Sequence, residues 1–179
     1  MRFKVQQFAV PPEESIIIKG VNGKIDYLDC FSIAFKHSGD FSIDYLTALL
    51  FSTPIPWADV LLKFRNFLVR PFGLKTDLPK KQKMDPSVYF NIGEVAGLFH
   101  VVDRSDSEIV MAENDRHLFF KTSLRFIRAN TSDEQIVYLT TLVQFHNATG
   151  RIYFAVVKPF HQLIMKSTLK RFAASMGTR

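Results

Sequence analysis

The sequence predicts an α+β domain in which one curved antiparallel sheet packs around a long C-terminal helix. Three observations carry this. Residues 116–128 and 134–146 alternate apolar and polar side chains with period two, as strands with one buried face do. From Asn147 to Gly177 apolar residues recur at three- and four-residue spacing without another strong break, as in a long amphipathic helix. The 179 residues are 47% apolar with one Cys, Cys30, which suits a single domain over 1–179 with its own core and no internal disulfide.

The elements follow in order. Pro11-Pro12-Glu13-Glu14-Ser15 reads as a turn or the first turn of a short helix, and Asn22-Gly23 is a strong tight-turn signal. Ile25, Tyr27, Phe31, Ile33 and Phe35 then alternate with Asp26, Cys30, Ser32 and Lys36, a half-buried strand ended by residues 37–40. Two short helices are predicted next. Ser42 is the N-cap of the first, Asp44 suits its dipole, and Tyr45, Leu46, Leu49 and Leu50 form its apolar stripe. Pro54 and Pro56 end it. Trp57 to Arg70 is the second, with Leu61, Phe64 and Leu68 spaced three and four apart, stopped by Pro71 and Gly73. Residues 74–87 form a basic loop.

The middle of the chain is strand-rich. Val88–Asn91 reads as a short edge strand. Glu94–Val102 and Ser107–Glu113 are strands joined by a turn at residues 103–106. Leu118, Phe120, Thr122, Leu124 and Phe126 share one face of the next strand. Val137, Leu139, Thr141, Val143 and Phe145 share one face of the last. One apolar and one mainly polar face per strand predicts a sheet covered on one side only. The cover is the C-terminal helix, with Tyr153, Val156, Val157, Phe160, Leu163, Ile164 and Phe172 toward the sheet. Pro159 predicts a kink near residues 155–159. A strand over 151–157 is the competing reading.

The formal net charge of +6 is local. Residues 61–83 carry seven basic groups and one acid, and residues 151–179 carry six basic groups and none. Such segments suit solvated faces, an anionic membrane surface or nucleic acid. No recognition helix, zinc finger or stacking sheet supports specific nucleic-acid binding. No apolar run reaches the ~18 residues of a membrane span, and Met1-Arg2-Phe3-Lys4 leads into no apolar signal region. A soluble, cytoplasmic protein of unknown oligomeric state is expected, with peripheral membrane contact the less favoured alternative. Gly-rich phosphate loops, dinucleotide fingerprints, G-x-S-x-G and H-E-x-x-H are absent, so no metal or cofactor is expected.

Some residues carry chemistry. Asp115 and His117 lie two apart at a strand start, and a hairpin turning at 129–133 brings His117 near His146. A carboxylate and an imidazole on one face suit acid–base work, but these residues fall on the more polar, outward face. His161 stands on the long helix beside Phe160, and Met165 follows at i+4. It is either a hydrogen-bonded core residue or the polar group that orients a ligand. The 18 Phe residues either fill the core or line a cavity for an apolar ligand.

Several stretches add a resemblance. They are Pro56-Trp57, Leu62-Lys63-Phe64-Arg65-Asn66 and Phe72-Gly73-Leu74; Asn114-Asp115-Arg116-His117-Leu118; and His146-Asn147 through Gly150-Arg151, Tyr153-Phe154 and Pro159-Phe160-His161. Over about residues 25–172 the chain resembles a bacterial family of unknown function, the domain-of-unknown-function family numbered 2867. The order of elements is similar to that of the helix-grip (SRPBCC) superfamily, which includes lipid-transfer START domains, pollen-allergen-type carriers and polyketide cyclases. The family's acidic-aromatic opening is only partly kept, as Asp26-Tyr27-Leu28-Asp29-Cys30-Phe31. The resemblance implies a fold and a cavity, not a reaction.

The expected function is non-enzymatic binding of a small hydrophobic or amphipathic molecule, such as a lipid, polyketide or aromatic metabolite. Its predicted wall is Phe31, Ile33, Phe35, Trp57, Phe120, Leu124, Leu139, Thr141, Val143, Tyr153, Val157, Phe160 and His161. Catalytic residues are left unassigned. The alternatives are a cyclase or lyase in which a cavity His or Tyr moves a proton, and a filled-core domain for protein contact.

Overall fold

The structure, a computed structural model, describes residues 3–37, 39–53, 89–97, 99–128 and 134–176. Its elements are β1 Val5–Phe8, β2 Tyr27–Lys36, α1 Ile43–Ser52, β3 Val95–Ala96, β4 Phe99–Arg104, β5 Glu108–Asn114, β6 Leu118–Arg128, β7 Glu134–Phe145 and α2 Ala148–Met176. The predicted helix from Trp57 to Arg70, Trp57 itself, the loop 74–87 and the turn 129–133 lie outside the described residues. All pairings are antiparallel, in the order β1-β2-β7-β6-β5-β4-β3.

Register explains the core. Leu139 stands opposite Leu124 on one side and Phe31 on the other. Val137 likewise stands between Phe126 and Ile33. The faces read from the sequence therefore merge into one apolar surface. Leu169, Phe172, Ala173 and Met176 of α2 and Ile43, Leu46 and Leu50 of α1 close over it. The Phe172 ring meets Phe35 edge-on at 5.8 Å, an arrangement that ring quadrupoles favour.

Ser42 caps α1, its Oγ accepting from the Tyr45 N–H at 3.1 Å. Asp44 does more than complement the dipole. It is buried and accepts from both terminal nitrogens of Arg104 at 3.0 Å and from the Phe90 N–H at 2.8 Å. Arg104 in turn stacks over the Tyr89 ring. This network ties α1 to β4.

The structure corrects several expectations. Val5–Phe8 forms an edge strand that had no clear signal in the sequence. Residues 89–91 are not a strand. The strand predicted over 94–102 is broken into β3 and β4 at Gly97, which has a positive φ of 68°. A Cβ there would meet the Phe51 ring at 2.6 Å, so α1 packs against a position only glycine fills easily. The helix α2 runs through Pro159 as the sequence predicts, and only the competing strand over residues 151–157 is overturned.

The sheet is also not bare on its second face. Ile16 and Ile17 pack there against Val110 and Leu142, with Val21, Ile25 and Leu28 at the margin. Beside them Glu108, fully buried, accepts from Ser15 Oγ at 2.7 Å, the Ile16 N–H at 2.9 Å and Arg125 at 3.3 Å. Arg125 also donates to the Glu14 carbonyl and carboxylate, and the buried Lys121 donates to the Lys19 carbonyl at 2.8 Å. The polar outward residues therefore fasten the N-terminal segment instead of facing water.

Candidate functional site

Period two in β2 puts Tyr27, Asp29, Phe31 and Ile33 on the face toward α2. Asp29 thereby carries a carboxylate into an apolar face, where it is only 3% exposed. A buried carboxylate needs hydrogen-bond donors. Tyr27 Oη donates to Asp29 Oδ2, and Gln162 Nε2 donates to the same Tyr27 oxygen at 3.2 Å. From α2, His161 brings Nε2 to 3.4 Å from both Asp29 oxygens. A donor on His161 Nε2 at this contact corresponds to the ring tautomer that carries its hydrogen there.

Aromatic rings surround these groups. His161 is 7% exposed and lies 6.2 Å from the Tyr27 and Phe120 rings and 6.4 Å from Phe154. Tyr27 and Phe154 are 4.7 Å apart, and Phe99 stacks on Phe120 at 5.2 Å. Burial, then the bond to Asp29 and its charge, push the Tyr27 phenol well above its ordinary pKa. Tyr27 thus stays a neutral donor. The Lys158 ammonium lies 5.0 Å above the Tyr27 ring.

One hydroxyl is left over. Thr141 stands between Asp29 and Thr122 in the sheet and is fully buried. Thr122 donates to the Thr140 carbonyl at 2.9 Å. Thr141 Oγ1 has no partner among the described residues. The site therefore combines a carboxylate, an imidazole, a neutral phenol and a free hydroxyl under an aromatic wall.

The predicted wall divides in two. Phe31, Ile33, Phe35, Leu124 and Leu139 are buried in the main core with Leu169 and Phe172. Phe120, Thr141, Val143 and His161 stand at the other end of the seam, at the Tyr27–Asp29 set. Tyr153 packs at the edge of the Leu118–Val143–Phe154 cluster. Val157 and Phe160 are only half-buried, and Val156 and Leu163, predicted to face the sheet, are 42% and 54% exposed. Tyr27, Asp29, Phe154 and Gln162 were missed. The signal was present for Asp29, because strict alternation through Tyr27 and Phe31 puts it on the apolar face.

The pair at the sheet's other histidines is a structural joint. His117 Nδ1 lies 3.2 Å from Asn147 Oδ1, and the Asp115 backbone N–H donates to Leu118 instead. Asn147 Oδ1 also accepts from the Gly150 N–H at 3.0 Å, as an N-cap does, and Asn147 Nδ2 donates to the Arg116 carbonyl. His146 binds Asn114 at 2.8 Å and is exposed. A Cβ on Gly150 would fall 2.1 Å from the His117 carbonyl oxygen. These residues clamp the start of α2 to the β5–β6 turn and so set the height of His161 over Asp29.

Among the described residues, no group of three or more His, Cys, Asp or Glu could hold a metal ion. No helix among them is long and apolar enough to cross a membrane. Fold and site together define an α+β sheet-and-helix domain with a buried Tyr–Asp–His set where sheet and helix meet. Over residues 21–168 the chain matches the family of proteins of unknown function DUF2867, and it belongs to that family. No curated protein and no solved structure shows significant similarity to it.

Proposed function

We propose that the chain binds a small amphipathic molecule at the Tyr27–Asp29–Thr141–His161 end of the sheet–helix seam. The observation that supports this best is Thr141 Oγ1. A buried hydroxyl without a partner is destabilising by about 1–3 kcal/mol, and one beside a buried carboxylate and imidazole suits a ligand's polar group. Phe120, Phe154 and Tyr27 suit an aromatic or alicyclic body. Membership of the helix-grip superfamily, which the strand order and the long C-terminal helix favour, belongs to the same reading.

The test is native mass spectrometry of protein purified from its own host, with Thr141→Val as the comparison. The wild type should retain a small molecule that the variant loses, while the variant is at least as stable in urea. Equal retention by both proteins, or no retained molecule in either, counts against the site.

The contact between Asp29 and His161 favours a second reading, a lyase or cyclase in which His161 moves a proton while Asp29 holds its ring. In deuterated water the retained molecule should then gain deuterium with the wild type and not with Asp29→Asn. No exchange with either leaves binding alone.

A further inference from the structure

A cavity is present whose lining shares no residue with the Tyr27–Asp29–His161 set. It opens between the edge strand β1 and the C-terminal half of α2, has a volume of about 440 Å³, and is lined by Phe3, Lys4, Val5, Lys166 and Lys170. That size lies within the range of small-molecule sites, roughly 300–1,000 Å³. Its lining has two parts. Phe3 and Val5 pack on the main core from outside and leave an apolar strip. Lys166 and Lys170, one helical turn apart on α2, supply two ammonium groups on one side, and Lys4 stands at the strand.

Among the described residues no lining residue is acidic, and the sequence has no Asp or Glu from residue 148 to its end. These lysines therefore have no carboxylate on their own helix to pair with. The Lys166 ammonium sits instead 5.4 Å above the Phe31 ring, a weak attraction that an anion would supplement.

We propose that this groove binds a single-chain amphiphilic anion. Its carboxylate or phosphate headgroup lies on Lys166 and Lys170, and its alkyl chain lies along Phe3 and Val5. This site is independent of the seam site. The two sources of the headgroup, a free fatty acid and an alkyl phosphate, share the chemistry the lysines read.

Isothermal titration of the full chain tests it, with dodecanoate, dodecyl phosphate, octanoate, dodecanol and inorganic phosphate as probes below their micelle concentrations. One or both dodecyl anions should bind saturably at one site, and the tighter of them identifies the headgroup. Octanoate should bind more weakly than dodecanoate, by about fourfold for each buried methylene it lacks. Dodecanol and inorganic phosphate should bind far less tightly than either dodecyl anion. The double variant Lys166→Met/Lys170→Met keeps the apolar stems and removes both charges. It should bind the anions about tenfold or more weakly, and the wild type should show the same trend as salt rises. Undiminished binding to the double variant overturns the proposal, as does inorganic phosphate binding as well as dodecyl phosphate, or no anion binding by the wild type. Binding that Thr141→Val abolishes and the lysine variant leaves intact would put the amphiphile in the seam and also overturn it.

Discussion

Asp29 shows how much one residue can organise. It carries a charge into an apolar face and is satisfied there by a phenol from its own strand and an imidazole from α2. Tyr27 gives this a pH signature. Below the phenol's ordinary value near 10 it is neutral in both folded and unfolded chains, and its contribution to stability is complete. Above that value the unfolded chain ionises first, the folded chain holds more protons, and stability falls as pH rises. Burial raises the Cys30 thiol in the same direction. Tyr27→Phe should lose about 1.5–3 kcal/mol at neutral pH with the hydrogen bond to the buried carboxylate, and should show a shallower loss above pH 10 than the wild type. Urea unfolding across that range measures both. Parallel pH curves for the two proteins would show that Tyr27 is not the group responsible.

At the scale of elements, α2 works as two halves. Its second half is core: Leu169, Phe172 and Ala173 are fully buried. Its first half holds the site, with Phe154 and His161 inward and Ile152, Val156 and Leu163 outward. Phe160 sits between these faces and is half-buried. Phe172→Ala should therefore cost about 3–5 kcal/mol, the range for a buried aromatic, and Phe160→Ala clearly less. Denaturant midpoints at constant slope decide this, and equal losses would contradict the orientation of the helix. The start of α2 is held by Asn147 and by the close approach of Gly150 to His117. His117, an acid–base candidate with Asp115 in the sequence, thus serves instead the position of His161.

For the whole molecule, the sheet has two covered faces of different kinds. The face toward the helices is aliphatic and aromatic. The other is sealed by residues 14–21 through Glu108, Arg125 and Lys121 as well as by Ile16 and Ile17. A buried ion pair stripped of one partner leaves an uncompensated charge. Glu108→Ala should cost about 3–5 kcal/mol for that reason. The Ile16 and Ile17 amides should be the first to lose hydrogen-exchange protection, ahead of those in β6 and β7. A uniform loss across the sheet would mean that the N-terminal segment is not held as a separate latch.

The amino-acid pattern alone determined the class of fold, the long strands, the capped first helix and the C-terminal helix. Each of these depends on local periodicity or on a local capping residue such as Ser42, which neighbours along the chain supply. It also marked His161 and Thr141, because they interrupt apolar stripes. Only the tertiary structure decided which rows of side chains meet. Phe31 and Leu139 became core, and Thr141 and His161 came to Asp29, because the β2–β7 register and the Gly150 contact set those distances across more than a hundred residues of chain. Val5–Phe8 is too short to show a period and becomes a strand only because β2 offers it an edge. The polar face of β6 read as solvent-facing, since periodicity distinguishes two faces but does not say what covers the second one. That cover is the N-terminal segment, and its partners are fixed by Glu108 and Arg125, which no local pattern connects to residues 14–16.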